Sequence, residues 1–144
     1  MNYSWEKKTL QELEGNDWGE PTYGSHVVTT CHAIRRKRVC DLTVEELRIA
    51  IGQEMGLKFL LPVAVRHLLK EPLAGGDFYP GDLLVKVLRV RSAIWRESPP
   101  LQALKSELRD MEAEIFAAAH QMDDLWKEFY SDELLSAVAA FRTA

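Results

Sequence analysis

Carboxylates set beside aromatic rings are the residues best able to do chemistry in this chain, and the chemistry they suit is recognition of a basic surface. Asp17-Trp18-Gly19-Glu20 and Asp77-Phe78-Tyr79 each join rings to negative charge inside a turn-forming stretch. They can supply buried anchors and charge complementarity to a protein partner. They suit folding equally: Trp18 and Tyr79 can pack under their own turns while the Asp side chains cap adjacent N–H groups, and this second role is favoured. A further acidic set lies toward the C-terminus, where residues 110–133 hold eight carboxylates and one lysine. The candidate binding residues are therefore Asp17, Trp18, Glu20, Asp77, Tyr79, Asp123, Asp124 and Glu128. Acid–base work by Asp123-Asp124 would need desolvation, and nothing in the flanking sequence supplies it, so a solvated helical face is expected there.

Other chemistries find no residues to carry them. His26, His32, His67 and His120 are scattered, without an H-E-x-x-H or C-x-x-C framework, so no metal and no cofactor are expected. Cys31 and His32 are neighbours in sequence, but adjacent helical residues point about 100° apart. Cys31 is better read as a small core residue with His32 a polar residue beside it. A nucleophile elbow, a P-loop and a dinucleotide fingerprint are all absent, and the chain reads as a non-enzyme. Arg35-Arg36-Lys37-Arg38 is one cationic run on a chain of net charge −4, too little to grip a phosphate backbone, so a solvated helix end is expected and no nucleic-acid partner. No stretch approaches the ~18 apolar residues of a membrane span. Two cysteines are too few for a disulfide framework, which points to reduced thiols in the cytoplasm.

Helices must position these residues. Thr9 with Glu12 and Thr43 with Glu46 have the spacing of capping boxes, the second reinforced by Leu42 and Leu47 as a hydrophobic staple. Gly15 should stop the first helix. Val27, Val28, Cys31 and Ile34 predict a helix over about 25–36. Pro62 should open or kink a helix carrying Val63, Val65, Leu68 and Leu69, ended by Pro72 and Gly75-Gly76. Pro80 and Asp82 suit the first turn of another, through Leu83, Leu84, Val87 and Leu88. Ile94 and Trp95 should extend or follow it. Ser98-Pro99 reads as an N-cap and first helical residue. From Leu101 through Leu104, Leu108, Met111, Ile115, Ala118, Met122 and Leu125 to Phe129, apolar residues recur at heptad spacing. That predicts either a coiled-coil seam or one long helix along the core, the second favoured because Phe116, Trp126 and Tyr130 widen the stripe. Ser131 can cap a last helix. The expectation is an all-α fold: one domain over residues 1–144, of short helices plus a longer C-terminal one.

Three strings are unusual in combining turn residues, aromatics and carboxylates: residues 13–21 (LEGNDWGEP), 51–57 (IGQEMGL) and 76–84 (GDFYPGDLL). With Ser25-His26-Val27-Val28, Cys31 to Lys37, Leu42 to Arg48, Leu60-Leu61-Pro62 and Pro72-Leu73, their order resembles the all-helical immunity proteins of bacterial contact-dependent growth inhibition systems, over about residues 9–97. The resemblance implies a cytoplasmic inhibitor of the toxin domain at the C-terminus of a large surface-delivered effector. Such toxins are often nucleases, some like ribonuclease A, and the inhibitor would cover the active site. An acidic inhibitor suits that role because a nucleic-acid cleft is positive. The alternative is a helical regulatory or scaffold protein that oligomerises through its C-terminal helix.

Overall fold

Side-chain caps at Thr9, Ser25, Thr43 and Ser98 open four helices where the sequence marks them. In the computed structural model, which describes residues 3–22 and 24–144, a 3₁₀ turn (Ser4–Lys7) precedes α1 (Leu10–Glu14) and α2 (His26–Arg35). A second 3₁₀ turn (Val39–Asp41) leads to α3 (Val44–Gly52), α4 (Leu57–Lys70), α5 (Asp82–Leu88) and α6 (Ser92–Trp95). The chain ends in α7 (Pro99–Arg109), α8 (Glu112–His120) and α9 (Asp124–Thr143). The fold is all-α. Among the described residues the only β pairing is an isolated antiparallel bridge between Thr9 and Arg38.

Burial follows from these faces. At α3 both halves of the capping box form, Thr43 N to Glu46 at 3.0 Å and Glu46 N to the Thr43 hydroxyl at 3.1 Å, with Leu42 and Leu47 buried on either side of the cap. α5 is buried around nearly its whole circumference, Lys86 alone being exposed, and it packs against α3, α4 and α9. A short helix apolar on all sides can only lie at the centre. One continuous apolar cluster runs from Leu10 through α3, α4 and α5 to Phe141.

Pro62 does not open its helix, one of the two roles expected of it, and four further expectations need correction. Pro62 lies inside α4, which opens five residues earlier, after Gly56 in the left-handed region at φ 60°. An interior proline costs about 3 kcal/mol, whereas Leu57, Leu60, Leu61, Val63, Val65 and Leu68 are all buried and each contributes about 1.5–3 kcal/mol by burial. The burial wins. Pro80 lies outside α5, because Gly81 takes the N-cap at φ 101° and the helix starts at Asp82. Val27 is 44% exposed, since the first turn of α2 projects past the core that Cys31 and Ile34 reach. The heptad run from 101 to 129 is neither a seam nor one helix: the chain breaks at 110–111 and again at 121–123. Ser131 falls within α9 and caps nothing; the cap is Asp123, whose Oδ1 accepts from Trp126 N at 2.8 Å. α7 and α8 turn Leu101, Leu108 and Ile115 toward the core, whereas Leu125 and Phe129, on the same period and expected along the core, are 64% exposed on α9; the period is blind to breaks between helices and to which face each one buries.

Candidate functional site

The candidate residues fall into two groups held by different elements. Asp17, Trp18 and Glu20 lie on the loop between α1 and α2 and pack back onto α2. Asp17 Oδ1 accepts from Gly19 N at 2.7 Å, forming an Asx-type turn. Trp18 stands edge-on to His32 at 5.2 Å between centroids and carries the Arg35 guanidinium over its ring at 4.3 Å. Arg36 reaches Glu20 at 3.1 Å, Asp17 at 4.0 Å and the Gly19 carbonyl at 2.6 Å. Of the basic run only Arg35 departs from a solvated helix end, being buried and bonded to Glu14; Arg36, Lys37 and Arg38 stay accessible to solvent while pairing there, Lys37 with Glu46 at 2.8 Å and Arg38 with Asp41 at 2.9 Å. Every cation of the run is matched by a carboxylate.

The second group is divided between the 76–81 turn, which carries Asp77 and Tyr79, and the start of α9, which carries Asp123, Asp124 and Glu128, the two segments being joined by Trp126 and Tyr130. Its organiser is Asp82, which sequence reasoning placed only as a favourable charge at a helix start. The Asp82 carboxylate is 3% exposed and accepts from Gly76 N at 2.6 Å and Phe78 N at 3.1 Å, with Arg48 at 3.6 Å. Arg48 in turn binds Glu45 at 2.6 Å and lies 4.2 Å under the exposed Phe78 ring. Glu45 accepts from Asp77 N at 3.0 Å, and the Arg48 guanidinium, together with that N–H, holds the Glu45 carboxyl below its ordinary value against the opposing effect of burial. Asp77 thus enters the network through its backbone. The one signal that could have exposed this was the Gly-Gly-Asp-Phe-Tyr-Pro-Gly-Asp run, in which a turn of several N–H groups precedes a carboxylate able to collect them.

The pinned turn meets α9 through aromatic rings. Tyr79 stacks on Tyr130 with centroids 4.2 Å apart and planes 9° from parallel, and the Trp126 indole donates to the Pro80 carbonyl at 2.8 Å. Burial raises the Tyr79 phenol above its ordinary value, with Glu133 and Asp82 adding to the effect. Phe129 leans on Tyr130 at 6.3 Å, yet both Phe129 and Leu125 are 64% exposed. Around them Asp124, Glu128 and Asp132 are exposed and make no ion pair among the described residues. Asp123 differs, since its carboxylate caps α9. Charge changes at 124, 128 and 132 therefore test binding without removing the cap.

Among the described residues no three His, Cys, Asp or Glu side chains converge as metal ligands, and no helix is long and apolar enough to cross a membrane. Cys31 is buried, which raises its thiol, and His32 Nδ1 lies 3.1 Å from the Gly19 carbonyl, a structural pairing of each with its surroundings. Compared with known proteins, the chain matches a family model described as CDI immunity proteins over residues 12–104. No curated protein matches it. The matched region takes in α2 to α6 and leaves α8 and α9 outside.

Proposed function

The chain belongs to the family of CDI immunity proteins, which neutralise toxins of contact-dependent growth inhibition, and from that premise we propose that it does so by laying the acidic face of α9 over the active-site cleft of a nuclease toxin. The toxin is the C-terminal domain of a large effector delivered from neighbouring cells, and ribonuclease A-like enzymes fit the chemistry. The inhibitor works in the cytoplasm as one domain, without catalysis of its own and without binding nucleic acid. One observation carries the choice of face. Among the described residues, carboxylates 14, 17, 20, 41, 45 and 46 are matched by cations of the same chain, and the unpaired Glu71, Glu97, Glu107, Asp110 and Glu114 are spread from the end of α4 to α8, whereas Asp124, Glu128 and Asp132 stand exposed and unpaired together on the first half of α9. Unmatched carboxylates on a rigid helix can occupy the places that substrate phosphates would take in a positive cleft. Asp17, Trp18 and Glu20 then support the scaffold, and Asp77 and Tyr79 fix the flank of the face.

The reading frame immediately upstream is expected to encode the toxin domain, and co-expression with that domain tests the reading. Growth should be restored, the purified complex should lose nuclease activity, and unrelated toxins should remain lethal, because a standard interface of about 1,600 Å² leaves many places for mismatch. A complex that forms yet retains full nuclease activity would show that the cleft is left open. Equal protection against several unrelated toxins would overturn a dedicated inhibitor.

A further inference from the structure

We propose that Leu125 and Phe129 are the apolar anchors of the toxin interface, seated in a recess of the partner that is bordered by lysines and arginines. The inference rests on the toxin-neutralising reading and adds the residues that bind most tightly, which neither the family match nor the acidic pattern supplies. Residues four apart lie about 40° apart around a helix, so Leu125 and Phe129 form one exposed ridge. On the same wheel the buried set of α9, Trp126, Leu134, Ala137, Val138 and Phe141, centres on the opposite side. Asp132 shares the exposed ridge, Glu128 borders it, and Asp124 stands beyond Glu128, about 100° around the helix from Leu125. A large apolar pair ringed by charge is the arrangement of an interface centre with its polar rim.

Preorganisation favours the same assignment. Phe129 rests against Tyr130, Tyr130 stacks on Tyr79, and the 76–81 turn beneath is fixed by Asp82 and by the Trp126 bond to Pro80. A ring presented on fixed neighbours loses little further freedom on binding. The charges decide the kind of occupant. A second copy meeting this face about a two-fold axis would set Asp124, Glu128 and Asp132 against their own counterparts, which is repulsive. An anionic lipid surface is repelled for the same reason. A basic protein surface is attracted.

The test uses the full chain and the upstream-encoded toxin domain inactivated at its active site, followed by association and dissociation kinetics across ionic strengths. Phe129→Ala should weaken binding at least ~30-fold and Leu125→Ala about 10-fold, mainly through faster dissociation and with unchanged salt dependence. Replacing Asp124, Glu128 and Asp132 together by Lys should instead slow association, most strongly at low salt. Leu69→Ala is the control, an exposed leucine on α4 expected to have no effect. Alanine favours a helix at both anchor positions, and circular dichroism confirms that the variants are folded. If the wild-type chain binds the toxin and both alanine variants bind within about twofold of it, the anchor assignment is wrong while the neutralising reading stands. If the wild-type chain does not bind at all, both fall. A toxin-free dimer that Phe129→Ala dissociates would also overturn the proposal.

Discussion

Ionisable residues whose folded values are lowered set how this molecule responds to acid, Glu6 and His67 foremost. Glu6 is 1% exposed and chelated by Arg66 at 2.6 and 2.8 Å, and that pairing is the main reason its carboxyl lies below the ordinary range. A carboxylate with a lowered folded value adds stability above its unfolded value and loses it as pH falls through the folded one. His67, lowered chiefly by burial and further by Arg66 and Lys70, acts in the same sense, because the unfolded chain takes up its proton first. We expect urea midpoints to fall steadily between about pH 7 and about pH 3, the upper part of the fall from His67 and the lower from Glu6 together with Glu45 and Glu46, whose carboxyls are lowered as well. Glu6→Gln should cost about 2–3 kcal/mol at neutral pH by leaving Arg66 against a neutral partner, and should flatten the lower limb. An unchanged acid limb in that variant would remove Glu6 from its sources. At Asp82, replacement by Ala orphans the Gly76 and Phe78 N–H groups and should cost about 2–3 kcal/mol in chemical unfolding.

Helix starts and stops are where individual elements are most exposed to substitution. Asp123→Ala removes the carboxylate that accepts from Trp126 N and should destabilise the protein by about 1 kcal/mol, whereas Asp124→Ala, with no such role, should lie within about 0.5 kcal/mol of wild type. Equal losses from the two would mean that the cap contributes nothing. Gly56 is held for a separate reason: at φ 60°, a Cβ there would stand 2.8 Å from both terminal carbons of Leu10, which is wholly buried. Gly56→Ala combines left-handed strain with a core clash, and a loss of about 2 kcal/mol or more in thermal or chemical melts is expected.

At the scale of the whole molecule, the matched region and the folding unit need not coincide. The family match stops at residue 104, but α9 lays Trp126, Leu134, Val138 and Phe141 over α5 and Trp95. Burial of four such side chains contributes about 6–12 kcal/mol, comparable with the entire net stability of a typical domain. A chain ending at residue 104 should therefore lack a cooperative melt and expose apolar surface to dye. If it melts with the full chain's sharpness, the C-terminal helices are an appendage. If the proposed face on α9 carries specificity, a place outside the matched region lets one scaffold serve different toxin partners.

Local chemistry was legible in the sequence wherever partners are close along the chain. Thr9, Ser25, Thr43 and Ser98 cap within three residues, Gly15 closes α1, and apolar positions recurring at spacings of three and four announce an all-α protein, because hydrogen bonds and facing within a helix depend on spacing alone. The eight candidate residues were legible by type and not by role. Asp17 and Glu20 are matched to Arg36 across 16 to 19 positions of chain, Asp77 and Tyr79 owe their placement to Asp82, Glu45 and Tyr130, and Asp123 proved a cap while Asp124 and Glu128 stayed unmatched. Leu125 and Phe129 read as core because they keep the heptad period, and only the break at 121–123 turned that part of α9 outward. A period states which residues share a face; which face meets the core, and which charges find a partner, is settled when distant helices pack together.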